Sequence, residues 1–177
     1  SLISNKFSEK AKIQMRDKQQ KKAKGSREVR DPKAEYEGSY YKTKDGKIAF
    51  PALCIKQSMV GAARFIDGLP MTVLRGAIFV QGDTDGLIPI KYESDEMRED
   101  MVRLAGKGSP ADFRYRGELK GWSMDLKIKY NAGVISAEQV LSLLNTAGFS
   151  QGIGEWRPER NGDHGTFEIN KSVKMEA

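Results

Sequence analysis

The chain has one cysteine and one histidine in 177 residues, and no apolar run approaching the roughly 20 residues a membrane helix needs. A single thiol forbids an internal disulfide, and Cys54, set among apolar neighbours, reads as an inert packed side chain in a reducing compartment. The single histidine, His164, leaves triad and Cys/His metal chemistry without partners, and no Ser or Thr stands in a nucleophile motif. No cofactor, metal or enzymatic role is therefore expected. The start of the chain also lacks the apolar stretch of a secretory signal, so the protein reads as soluble and intracellular. It opens on Ser1, not methionine, which fits processing or a fragment.

Acidic residues are scarce at one end only. Of the thirty Lys and Arg residues, ten lie in the first thirty positions against Glu9, Asp17 and Glu28, so that segment carries +7 while the chain as a whole carries +6. The excess is an N-terminal arm on a nearly neutral body, a distribution that points to a polyanionic partner. A phosphate backbone is the first candidate, because each cation that neutralises a phosphate releases a counterion. An acidic protein surface or anionic lipid satisfies the same charge, and a merely solvated tail needs no partner. From Asn5 to about Lys22 neither Gly nor Pro occurs, and Phe7, Ala11 and Met15 make a thin apolar stripe. Such a helix needs a partner surface, either its own body or a neighbouring subunit. Its Lys10, Lys18, Lys21 and Lys22 are candidate nucleic-acid contacts. Residues 1–30 are read as arm and linker, and 31–177 as a single α+β domain.

Within the body, Asp31-Pro32 starts a short helix, and Lys44-Asp45-Gly46-Lys47 turns a hairpin between Tyr40 and Phe50. Pro51 opens a helix with Ile55, Met59, Ala62, Ala63 and Ile66 on one face, ending at Asp67-Gly68. Thr72 to Val80 reads as a central strand and Leu87 to Lys91 as another. Phe113 and Tyr115, then Trp122, Met124, Leu126, Ile128 and Tyr130, alternate with polar residues, which predicts two paired antiparallel strands joined through Gly117–Gly121. Ser136 and Gln139 form a capping box for a helix ended by Gly148, and Thr166–Asn170 reads as a last strand. This order predicts an α+β fold: an antiparallel sheet with two helices on one face, ferredoxin-like or RRM-like.

The wet face of the paired strands presents Arg114, Arg116, Lys127 and Lys129, offset by Glu118 and Asp125, and suits a sugar-phosphate backbone. An ordinary solvated sheet face has the same pattern, and an RRM would carry its aromatic residues on this face instead. The long loop from Gly148 to Gly165 is rich in glycine and holds Trp156, Arg157 and Arg160, side chains able to stack on bases and pair with phosphates. It is no dinucleotide fingerprint, since Gly152-Ile153-Gly154 follows a helix and not a strand. A subunit contact explains such a loop equally well. Asp83 and Asp85 lack the remaining spacing of a calcium loop and read as turn residues.

Gly152-Ile153-Gly154 between the second helix and the last strand resembles the glycine-rich loop of the RAMP superfamily, which includes the Cas7-like subunits of CRISPR effector complexes. Phe50 to Met59 resembles their proline-opened first helix. A broader likeness, carried by Met97–Val102, Asn131–Glu138 and Gly154–Pro158, is to uncharacterised proteins of tailed bacteriophages. The first resemblance implies a nucleic-acid-binding subunit that assembles side by side along a strand, with Lys56 and Arg64 as backbone contacts and no catalytic residue to transfer. The second implies a viral protein acting in the bacterial cytoplasm. Together they give the expectation of a non-enzymatic phage protein that self-associates as a homo-oligomer and binds single-stranded RNA or DNA with little sequence preference. The alternative is a structural or interaction protein whose arm docks on an acidic virion component or host defence factor.

Overall fold

The computed structural model describes residues 1–20, 29–103 and 111–170. The chain enters as β1 (Leu2–Ser4), with Leu2 and Ile3 fully buried, then forms α1 (Glu9–Gln19), whose first turn is capped by the Ser8 hydroxyl accepting from the Ala11 N–H at 3.1 Å. The Asp31 carboxylate accepts from the Lys33 and Ala34 N–H groups and starts α2 (Pro32–Gly38). The expected hairpin follows as β2 (Tyr41–Lys42) and β3 (Ile48–Pro51). Pro51 then opens α3 (Ala52–Ala62), which ends in a single 3₁₀ turn at Ala63–Phe65.

Next come α4 (Met71–Ala77), β4 (Ile78–Gln81), β5 (Leu87–Lys91), β6 (Ser94–Arg103), β7 (Ala111–Lys120), β8 (Ser123–Met124) and β9 (Lys127–Tyr130). The capping box at Ser136 and Gln139 is formed in both directions and starts α5 (Ala137–Ser150). The described strands make three antiparallel sheets, ordered β1-β7-β6, β2-β3-β5-β8 and β4-β9. This α+β architecture replaces the expected single sheet. Its core joins Ile55, Met59 and Ala62 of α3 to Leu143 and Ala147 of α5, with Leu2, Ile78, Ile88, Leu119 and Ile153 closing around them. Among the described residues no helix is long and apolar enough to cross a membrane.

Five expectations are corrected. The arm does not begin at residue 1: β1 belongs to the body, with Leu2 opposite Leu119 and Ile3 opposite Glu118. The strand expected over Thr72–Val80 is mostly helix, because Pro70 opens a turn whose Leu74 and Ala77 bury three residues apart, and only Ile78 onward is extended. The partner of β7 is not the 122–130 run but the charged β6, in register from Ser94–Lys120 to Arg103–Ala111, while β8 and β9 pair with β5 and β4. Thr166–Asn170 is extended but joins no strand; instead the Phe167 N–H bonds to the Gly148 carbonyl. Gly148 itself lies inside α5, where a Cβ would come within 1.9 Å of that Phe167 carbonyl oxygen; the helix ends at left-handed Gly152, φ +63°.

Candidate nucleic-acid interface

The exposed side of α3 faces the loop after α5 across a cleft of about 630 Å³ lined by Lys56, Arg64, Arg75 and Arg157, with Glu155 and Glu159 as its carboxylates. Helix α3 holds its buried face on α5, where the Ser58 hydroxyl donates to the Ala147 carbonyl at 3.4 Å, and this turns Lys56 outward. The loop is fixed by backbone bonds from the Ile153 N–H to the Gly165 carbonyl at 3.0 Å and from the Glu155 N–H to the Ile3 carbonyl at 3.1 Å. Gly154 must be glycine: it adopts φ +79°, and a Cβ would come within 2.6 Å of the Ile3 carbonyl oxygen. The glycines of the loop thus seat it against β1 and place Arg157 at the cleft.

Lys56 Nζ donates to the Arg75 carbonyl at 2.7 Å and stands 4.3 Å from the centroid of the Phe79 ring. Phe79 is half exposed on β4 and lies opposite Lys129 of β9 in register; Gln81 lies opposite Lys127. Lys56 and Lys129, one from each of two expected groups, therefore stand beside the same aromatic ring. Arg64 Nε donates to the Gly61 carbonyl at 3.0 Å. Arg157 is engaged, holding Glu159 through Nε at 2.9 Å and Nη2 at 2.6 Å while Nη1 donates to the Gly154 carbonyl.

The other expected contacts do not join this surface. Arg116, expected on a wet face, is buried at 6% exposure, with Nη1 3.9 Å from Asp100 and 4.0 Å from Glu155. The cause is β6: its acids face the cations of β7, and the 155–164 loop closes over that side, leaving Arg114 exposed beyond it. Arg98 of β6 binds Asp100 through Nε at 2.8 Å and Glu118 through Nη1 at 3.2 Å, and its guanidinium covers the Trp156 ring at 5.3 Å. These contacts raise Arg98 above its ordinary pKa, with the Asp100 hydrogen bond the main cause. Trp156 sits at φ +54°, a strained position for a bulky residue. Arg160 is exposed on the turn after it. Lys18 is exposed on α1, Lys10 belongs to the same helix, and Lys21 and Lys22 lie outside the described residues.

Sequence reasoning missed Arg75 and Phe79, both hidden by the reading of Thr72–Val80 as one strand; the apolar-out position of Phe79 between inward Ile78 and Val80 was the available signal. Asp83 does act as a turn residue, its Oδ1 accepting from the Asp85 and Leu87 N–H groups. No family model, curated protein or solved structure matches this chain.

Proposed function

We propose that the protein is a non-enzymatic, self-associating nucleic-acid-binding protein of phage origin that holds single-stranded RNA or DNA with little sequence specificity. The observation that carries the reading is the exposed Phe79 ring between Lys56 and Lys129, at the edge of a cleft that adds Arg64, Arg75 and Arg157. An aromatic ring gives a stacking platform to any base, and the surrounding cations follow the phosphates without reading sequence. Lys56, Arg64 and the Gly152–Gly154 loop, the features behind the RAMP resemblance, line this one cleft.

The test is a fluorescence-anisotropy titration of labelled single-stranded U and dT oligonucleotides at two salt concentrations, with the 260/280 nm absorbance ratio measured after purification without nuclease. Retained nucleic acid and binding that weakens by orders of magnitude over a few-fold rise in salt support the reading. Clean protein that binds neither oligonucleotide sinks it and favours an acidic protein as the partner of the arm.

A further inference from the structure

Two apolar surfaces of the chain lie uncovered among the described residues, and they complement each other. The first belongs to α1 and its approach: Phe7 and Met15 are 74% and 62% exposed, so the stripe that needs a partner does not find it on its own body. An eleven-residue helix of this kind gains little stability by itself and depends on docking.

The second is the outer part of the β6–β7 hairpin. Met97 and Met101 of β6 share a face with Phe113 of β7, since Met97 stands opposite Gly117 and Met101 opposite Phe113. This is the face that buries Leu119 farther down β7, yet Met101 is 70% exposed, because both strands run on past the body while keeping the apolar pattern of its core. The charge of the two surfaces is opposite. Helix α1 and its approach carry Lys6, Lys12, Arg16 and Lys18 against Asp17, whereas the Met97–Met101 face of β6 carries Asp95 and Glu99 against Arg103.

We infer that the hairpin face is the seat for α1 of a second copy of the chain, with Phe7 and Met15 of one copy packed on Met97, Met101 and Phe113 of the next. The contact is heterologous: each copy offers a helix on one side and a seat on the other, so association runs head to tail into a ring or a filament. The inference rests on the self-association included in the functional reading above and specifies its surface, but the contact itself requires no nucleic acid.

The experiment is sedimentation velocity on the nuclease-treated full chain over a concentration series, with Met15→Asp disabling the helix and Met101→Asp disabling the seat. Both side chains are exposed, so each variant is expected to keep the wild-type circular dichroism and thermal midpoint. The wild type is expected to climb above its 19.8 kDa monomer as concentration rises, and each variant alone to remain monomeric. An equimolar mixture of the two variants has one intact helix and one intact seat, and is expected to form a two-chain species and nothing larger. A wild type that stays monomeric, a variant that assembles like the wild type, or a mixture that stays inert overturns the inference. Binding of a short oligonucleotide by the Met101→Asp monomer keeps the two ideas separable: retained binding with a wild type that stays monomeric sinks only the head-to-tail contact, and lost binding with intact wild-type assembly sinks only the nucleic-acid reading.

Discussion

Lys56 of α3 and Phe79 of β4 meet with the ammonium 4.3 Å from the ring centroid, so that one cation and one half-exposed aromatic ring are held together before any ligand arrives. Across the β4–β9 pair, Lys129 stands beside the same ring.

Phe79→Ala is therefore expected to weaken single-strand binding by about 1–3 kcal/mol, the usual worth of one base stacked on one aromatic side chain. Lys56→Ala is expected to weaken binding evenly across sequences and to reduce the slope of log K against log salt by about one. Anisotropy titrations at several salt concentrations measure both. Wild-type affinity in Phe79→Ala removes the ring from the interface.

The neighbours Arg114 and Arg116 should behave oppositely in urea unfolding. Arg116→Ala removes a buried guanidinium 3.9 Å from Asp100, which keeps its hydrogen bonds from Arg98, and is expected to cost about 1–3 kcal/mol, while Arg116→Met, apolar and similar in size, should cost less. Arg114→Ala, on an exposed position, should stay within about 0.5 kcal/mol of wild type. Equal effects of Arg114→Ala and Arg116→Ala would contradict the burial of Arg116.

Gly117 is a packing glycine. A Cβ there would come within 1.9 Å of Tyr40 Cζ, whereas a Cβ on Gly38 meets nothing within 4 Å. Gly117→Ala is expected to lower stability by about 1–3 kcal/mol through overpacking, with Gly38→Ala neutral or slightly stabilising. Thermal melts of the pair decide it.

Glu118 titrates below the usual carboxylate range, chiefly because of a hydrogen bond with the Ser1 side chain; burial opposes this and Arg98 adds to it. A depressed folded-state value means that its contribution to stability is full above the ordinary carboxylate pKa and is lost as pH falls through the depressed one. Glu118→Gln should be less stable than wild type at neutral pH and lose less on acidification, so the two melting-temperature curves converge toward low pH. Parallel curves would show that Glu118 contributes nothing to acid sensitivity.

Local signals in the sequence were read correctly where the chemistry is local. Asp31 before Pro32 and Ser136 with Gln139 satisfy backbone donors within a few residues, Pro51 presets the backbone for a helix start without a capping bond, and the structure forms all three helix starts. Alternation from Trp122 to Tyr130 gave the faces correctly too, but alternation says nothing of which strand pairs or what covers a face. That is why Arg116 was read as wet: its cover, β6 and the Glu155 loop, comes from elsewhere in the chain. Phe79 escaped because β-branched Thr72 and Val73 favour a strand locally, while Pro70 and the burial of Leu74 on the core decide for a helix. The cleft itself depends on α3 meeting the loop after α5, and no short-range pattern encodes that meeting.

Because β1 contributes Leu2 and Ile3 to the interior, these residues are synthesised well before the partners that hold them. Leu2 has no cross-strand mate until Leu119 emerges, and Ile3 cannot bond its carbonyl to Glu155 until later still. The opening residues therefore act as a latch on the finished domain, and a shortened version intended only to strip the basic helix has to spare them.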